Sequence, residues 1–126
     1  IAPQVIESLM KQSSFIEQIA VIGENKKMPS AIIQPNFEFS LKWLKEIGIS
    51  CENNFEVICN QGKLITKIQD EIDIYNESFA QWEKIKKFKL TPEIWSIEEG
   101  HLTPTMKVKR KIIKEKFKDL IEEMYN

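Results

Sequence analysis

The sequence predicts a small α+β domain, with a roughly three-stranded sheet flanked by helices. Three observations carry that prediction. Two short apolar, β-rich runs, "FIEQIAVIG" and "AIIQP", stand early in the chain. Leu64, Ile68, Ile72, Tyr75 and Phe79 then recur at helical spacing and form one stripe along one face. A second helical stripe, Ile113, Phe117, Leu120 and Met124, closes the chain. The length, 126 residues, suits one domain spanning 1–126. It is too short to enclose a deep cavity for a long substrate.

Taken in order, Pro3 suits the first turn of a helix, where its missing N–H would be unpaired anyway. Val5, Ile6, Leu9 and Met10 continue that helix, and Ser13 and Ser14 break it. "FIEQIAVIG" reads as a strand ended by Gly23, "ENKKMPS" as a polar turn, and "AIIQP" as a second strand ended by Pro35. Together they predict an antiparallel hairpin. Asn36 is a candidate N-cap for a helix through Phe37, Leu41, Trp43, Leu44 and Ile47, and Gly48 is its stop. A polar loop, "ISCENN", precedes the long helix. "WEKIKKFKLT" reads as a third strand interrupted by Pro92, with "EIWSIEE" continuing extended and Gly100 marking a turn.

Composition excludes several classes. The chain is 42% hydrophobic and 29% charged with a net charge of -1. It is therefore a globular chain without a global field toward nucleic acid. No apolar run approaches the roughly 20 residues that span a bilayer. No basic stretch precedes an apolar core, as it would in a secretory leader. Cys51 and Cys59 read as reduced thiols in a cytosolic compartment. They are eight apart with no partner histidine, which gives a nucleophilic pair little support. His101, the one histidine, reads as a solvated loop residue beside Gly100. No metal-ligand spacing and no glycine-rich phosphate loop is present. Asp70, Glu71 and Asp73 read as the solvent face of the long helix. The chain begins directly in apolar sequence, "IAPQVIESL", which reads as a piece of a longer polypeptide.

What remains is the stretch "HLTPTMKVKRKIIKEKF". Lys107, Lys109, Arg110, Lys111, Lys114, Lys116 and Lys118 crowd the start of the last helix, and Asp119, Glu122 and Glu123 crowd its end. A helix prefers the reverse, because its N-terminus is partially positive. If "TMKVK" is extended, Met106 and Val108 share one face and Lys107 and Lys109 the other. If the helix reaches back to Lys109, that residue lies four before Ile113, on the apolar stripe. Either geometry predicts one lysine held by a packed neighbourhood. Thr103, Pro104 and Thr105 stiffen the approach. A basic solvated face, or a basic-helix module for nucleic acid or anionic lipid, fits the same residues.

The segment resembles the C-terminal signature of the adenylate-forming (AMP-binding) enzymes, in particular the long-chain fatty acyl-CoA synthetases. Many members carry Leu-Pro-x-Thr-x-x-Gly-Lys, and the long-chain branch typically Leu-Thr-Pro-Thr-x-Lys-x-Lys-Arg. Leu102 to Arg110 matches the second form in full. "IAPQVIES", "FIEQIAVIGENKKMPSAIIQPN" and "WEKIKKFKL" resemble neighbouring parts of that family, so the likeness covers essentially the whole chain. It implies a mobile C-terminal domain of a long-chain fatty acid–CoA ligase, whose hinge and N-terminal ATP- and acyl-binding domain lie before Ile1. It implies fatty acid, ATP, Mg2+ and coenzyme A as substrates and cofactors of the full-length enzyme, and an isolated domain that is inactive. Nucleic acid is not an implied partner. The implied adenylation lysine is Lys109, with Lys107 as runner-up because Val108 stands where the shorter form has glycine. Lys107 and Arg110 are implied anion contacts. The implied location is cytoplasmic, with peripheral association at the inner face of the membrane left open.

Overall fold

A computed structural model describes residues 2–23 and 28–126. The polar turn expected at "ENKKMPS" lies largely outside the described residues. The chain runs α1 (Pro3–Met10), β1 (Ile16–Ile22), β2 (Ser30–Pro35), α2 (Phe37–Glu46), α3 (Phe55–Cys59), α4 (Gly62–Asn76), a 3-10 turn (Gln81–Glu83), β3 (Lys87–Leu90), α5 (Arg110–Lys116) and α6 (Lys118–Tyr125). The α+β class and the three strands are as expected. The sheet order is β1-β2-β3, with β1 antiparallel and β3 parallel to the central β2.

The two long apolar runs have a physical reason: the hairpin is covered on both faces, so it needs no polar side. Ile19, Val21, Ala31 and Ile33 face a core built with Ile6 and Met10 of α1, Leu44 of α2, Ile58 of α3 and Leu64, Ile68 and Ile72 of α4. Ala20, Ile22 and Ile32 point the other way, against Trp95, Leu102, Ile113, Phe117, Ile121 and Met124. A bulge between Ile16 and Gln18 shifts the register by one. It lets Ile16 and Ile19 share the first core although they are three apart.

Local signals held in the first half. Asn36 caps α2 by accepting the Phe39 N–H at 3.0 Å. Gly48 ends it with a φ of +86°, a backbone that glycine adopts without strain. The short α3 was not expected. Its signal is Asn54, whose side chain accepts the Val57 N–H at 3.0 Å. The long helix stops at Asn76, before Phe79, although Phe79 is still buried. Asn76 exchanges two hydrogen bonds of 3.0 Å with the backbone of Ile85, in the manner of a ladder rung, and closes the turn that follows.

The second half departs more. The third strand is shorter than "WEKIKKFKLT": Trp82 and Glu83 sit in the 3-10 turn, and only Lys87–Leu90 pair with β2. Thr91 donates one more bond to the Ile33 carbonyl, after which Pro92 and the residues to Ser96 leave the sheet. The single final helix is two. Phe117 interrupts it with a φ of -110° and a ψ of 25°. Its stripe is Ile113, Phe117, Ile121 and Met124, while Leu120 is only partly buried. The break also resolves part of the charge anomaly. Lys114 and Lys116 fall in the last turn of α5, and Asp119 in the first turn of α6. Both placements suit their helix dipoles.

The free edge of β1 is closed by an ion pair. Glu7 of α1, buried, accepts the Val21 N–H at 2.7 Å. Arg110 donates to the Val21 carbonyl at 2.9 Å and to both Glu7 oxygens, at 2.5 and 3.1 Å. The two side chains thus satisfy both polar groups of one edge residue and bind α1 to α5. Removing one partner strands the other charge, which should make Arg110→Met less stable by about 2–4 kcal/mol in urea denaturation. The Glu7→Gln/Arg110→Met double variant should lose much less than the sum of the single losses, and strict additivity would deny the coupling.

Cys51 is half-buried and Cys59 buried, and both are free thiols. Burial, with the Glu56 charge added, pushes the Cys59 thiol from 9.0 up to about 12. The folded chain therefore keeps a proton that the unfolded chain releases. The resulting stability is whole below pH 9 and is lost as pH rises toward 12. Iodoacetamide at pH 8 should alkylate Cys51 and spare Cys59 until denaturant is added, as read by mass spectrometry; equal labelling of both in the folded chain would contradict this.

Candidate functional site

The cationic segment folds as a tight, laddered loop. Leu102 and Val108 form an antiparallel bridge. On one side of it the Lys109 N–H donates to the His101 carbonyl at 2.9 Å, and on the other the Thr103 N–H donates to the Lys107 carbonyl at 2.8 Å. Thr103 also closes the turn with its side chain: its Oγ1 accepts the Lys107 N–H at 3.0 Å and lies 3.1 Å from the Thr105 Oγ1. Met106 sits at the tip, half exposed, with a φ of +67°. Val108 has no such backbone, so a side chain is accommodated where the shorter signature has glycine.

Leu102 is buried and Val108 packs against the second core. Lys107 and Lys109 flank Val108 and are exposed. The expectation of a lysine inside a packed neighbourhood is therefore corrected: what is held is the Lys109 backbone, not its ammonium. Its N–H is tied to His101, and its carbonyl accepts the Ile113 N–H at 3.0 Å as the cap of α5. A fixed backbone with a solvent-borne side chain is a means of presenting one charge at a defined place. Lys107 borders a shallow cleft of about 280 Å³ that also touches Glu7 and Lys11. Arg110 is set apart from the lysines, since its guanidinium is engaged by Glu7 and Val21, and an anion would have to compete with both.

His101 corrects the sequence reading outright. It is 1% exposed and stacks on Trp95, ring centroids 6.0 Å apart and planes 2° from parallel. The Ser96 N–H donates to its Nδ1 at 3.1 Å, which leaves Nε2 to carry the proton toward the Glu93 carboxylate. Gly100, at a φ of +87°, makes the turn that brings His101 back to Ser96. Nothing within hydrophobic periodicity marks this histidine as buried. The signal is Trp95, a large ring a few residues upstream that needs a cover.

The donor set of the loop is cationic. A magnesium ion needs oxygen ligands, and among the described residues no group of three or more His, Cys, Asp or Glu could hold a metal. The loop does fit the oxygens of a phosphate or carboxylate, because Lys107 and Lys109 are compact, hydrated point charges. An open cleft of about 910 Å³ lies between α2 and the loop after it, and Lys109 does not line it. Among the described residues no helix is long and apolar enough to cross a membrane.

The family model described as "AMP-binding enzyme C-terminal domain" matches residues 1–126. A long-chain-fatty-acid–CoA ligase of Mycobacterium tuberculosis is 32% identical over 126 residues, covering 100% of this chain and 21% of that protein. Long-chain-fatty-acid–CoA ligase 1 of Homo sapiens is 33% identical over 130 residues, covering 100% of this chain and 18% of that protein. The chain spans about a fifth of the length of these curated relatives. Among solved structures, the adenylation domain of a carboxylate reductase from Mycobacterium chelonae superposes with a TM-score of 0.78 at 20% identity, over 99% of this chain and 18% of that one. The A-PCP didomain of a carboxylic acid reductase from Segniliparus rugosus gives 0.71 at 19% identity, over 99% and 16%. At such identities the superpositions establish the fold.

The left-handed backbone at Met106 costs a side chain about 1 kcal/mol or more, which glycine would not incur. Met106→Gly should therefore raise thermal stability by up to about 1 kcal/mol, while the β-branched Met106→Val should lower it by more than that. A Met106→Val variant as stable as the parent chain would show the loop to be otherwise built.

Proposed function

Because the chain belongs to the family of C-terminal domains of AMP-binding enzymes, we propose that residues 1–126 are the mobile C-terminal domain of an ATP-dependent long-chain fatty acid–CoA ligase. One observation carries the reading: Lys109 closes the Leu102–Lys109 hairpin with its backbone tied at both ends and its ammonium in solvent. The relatives named long-chain-fatty-acid–CoA ligases, matched along this whole chain, support the substrate class. Their greater length supports an N-terminal domain of the same polypeptide as the partner, holding ATP, its magnesium and the acyl chain.

In the first half-reaction a fatty-acid carboxylate oxygen attacks the α-phosphorus of ATP. A bond forms between them, the bond to the β-phosphate oxygen breaks, and diphosphate leaves. Two anions must meet, so a positive charge is required where they meet. The Lys109 ammonium contacts the carboxylate and the phosphoryl oxygens together and offsets the charge that builds between them. It acts as an electrostatic donor. A base is not needed, since a carboxylate is already deprotonated at neutral pH. Lys107, two residues earlier on the same exposed side, is the second cation, and Arg110 holds the start of α5. In the second half-reaction the thiol of coenzyme A attacks the acyl carbon and AMP leaves. The domain rotates about its hinge between the two steps and withdraws Lys109 from the site. The location that goes with this reading is cytoplasmic.

In the full-length protein Lys109→Ala should lower acyl-adenylate formation by about 10²–10³-fold and largely spare thioester formation from preformed acyl-adenylate. The isolated chain with ATP, magnesium and palmitate should be inactive. Equal loss in both half-reactions, or robust adenylation by the isolated chain, would refute the assignment. A silent Lys109→Ala beside a crippled Lys107→Ala would move the role to Lys107.

A further inference from the structure

We infer that His101, held through its imidazole by Ser96 and Glu93, is a positioning residue that fixes where Lys109 is presented. The inference rests on the role proposed above for Lys109. Its grounds are a continuous run of hydrogen bonds from the central strand to that lysine. Gln34, buried in β2, accepts the Trp95 N–H at 2.8 Å. The next residue, Ser96, donates its N–H to His101 Nδ1 at 3.1 Å, and Nε2–H meets the Glu93 carboxylate. His101 in turn accepts the Lys109 N–H on its own carbonyl.

The chemistry of the position is the reason to assign it a role. The ring lies beside those of Trp95 and Phe117, where an aliphatic side chain would fill the space. A polar ring in such a place costs stability unless each nitrogen is paired. Here both are, in one tautomer and one orientation. A fully satisfied buried polar group specifies a single geometry where an apolar one would only occupy volume. The geometry specified is that of residues 100–103, the strand on which Lys107–Lys109 is laid. On its other side the Lys109 carbonyl accepts the Ile113 N–H, and the next residue, Arg110, is anchored to Glu7 and the Val21 carbonyl, so the His101 carbonyl is the tether that comes from the loop itself. Freeing the imidazole would leave that segment on the bonds from the His101 and Leu102 N–H groups to the Ser96 carbonyl, at 3.1 and 3.3 Å, but without its side-chain anchor, and the ammonium would shift with it.

The test is made in the full-length ligase. His101→Leu should lower the kcat of adenylation on the order of tenfold, well within the ~10²-fold that a 1 Å misplacement can cost. The KM for ATP and for fatty acid should stay within about twofold, as uniform binding is untouched. Thioester formation from preformed acyl-adenylate should be unchanged. His101→Asn, whose Oδ1 can accept the Ser96 N–H, should restore most of the rate. Glu93→Gln, which keeps an acceptor for Nε2–H, should exceed Glu93→Ala in adenylation. Amide exchange at Lys109 should quicken in His101→Leu. A folded His101→Leu with normal adenylation, or with equal loss in both half-reactions, overturns the inference. If His101→Leu does not fold, the half-exposed Glu93 decides alone: equal rates for Glu93→Ala and Glu93→Gln overturn it. A Lys109→Ala control separates the failures. Suppressed adenylation there with a silent His101→Leu refutes the positioning role only, whereas a silent Lys109→Ala refutes the underlying reading and this inference with it.

Discussion

The structure depends on how the open edge of β1 is closed. A sheet edge exposes unpaired N–H and carbonyl groups, and burying it without partners costs free energy for each. Among the described residues no fourth strand pairs with it. Glu7 and Arg110, 103 residues apart, take its place at Val21 and pair with each other as they do so. The consequence reaches the loop directly. Arg110 follows Lys109 in sequence, so the contact that joins the first helix to the sheet also fixes the residue beside the presented lysine. The lysine loop is thereby part of the rigid body and not an appendage to it.

The two-faced burial of the hairpin explains the remaining architecture. Successive residues of β1 enter opposite cores, so one face recruits α1 to α4 and the other the loop after β3 with α5 and α6. The first core is mainly aliphatic, with Phe15, Phe37 and Phe79 among its buried members. The second contains the stacked Trp95 and His101 and carries the loop on its rim. The opposite edge, β3, is protected differently: Lys87 and Lys89 are exposed along it, which discourages pairing with another chain.

Legibility in the sequence followed the range of the interactions. Pro3, Asn36 and Gly48 act on their own turn, and the helices they bound were readable. The hairpin was readable because apolar β-rich runs a few residues apart have few other uses. Asn54 was an equally local cap, and α3 went unread only because five residues show too little periodicity. The break at Phe117 could not be seen, since Ile113, Phe117 and Ile121 keep a spacing of four across it. His101 and Arg110 were misjudged or left open for a shared reason. Their partners, Glu93, Trp95, Glu7 and Val21, are chosen by the fold. Lys109 is proposed from the run Leu102–Arg110 as a pattern, and charge alone does not single it out among seven cations.

The lower face of the sheet has a history in time as well as space. Ala20, Ile22 and Ile32 belong to the first third of the chain, yet everything that covers them comes from residue 95 onward. The last closure is the Tyr125 hydroxyl, which lies 2.6 Å from the Met28 carbonyl and 2.8 Å from the Ser30 hydroxyl at the end of the hairpin. On a ribosome that adds residues from the N-terminus, the hairpin emerges with one apolar side bare. Its cover begins with Trp95 and is complete only when α6 is free. The interval is one in which a β-prone surface is open to other nascent chains, and removing α6 would take Ile121, Met124 and Tyr125 out of that cover for good.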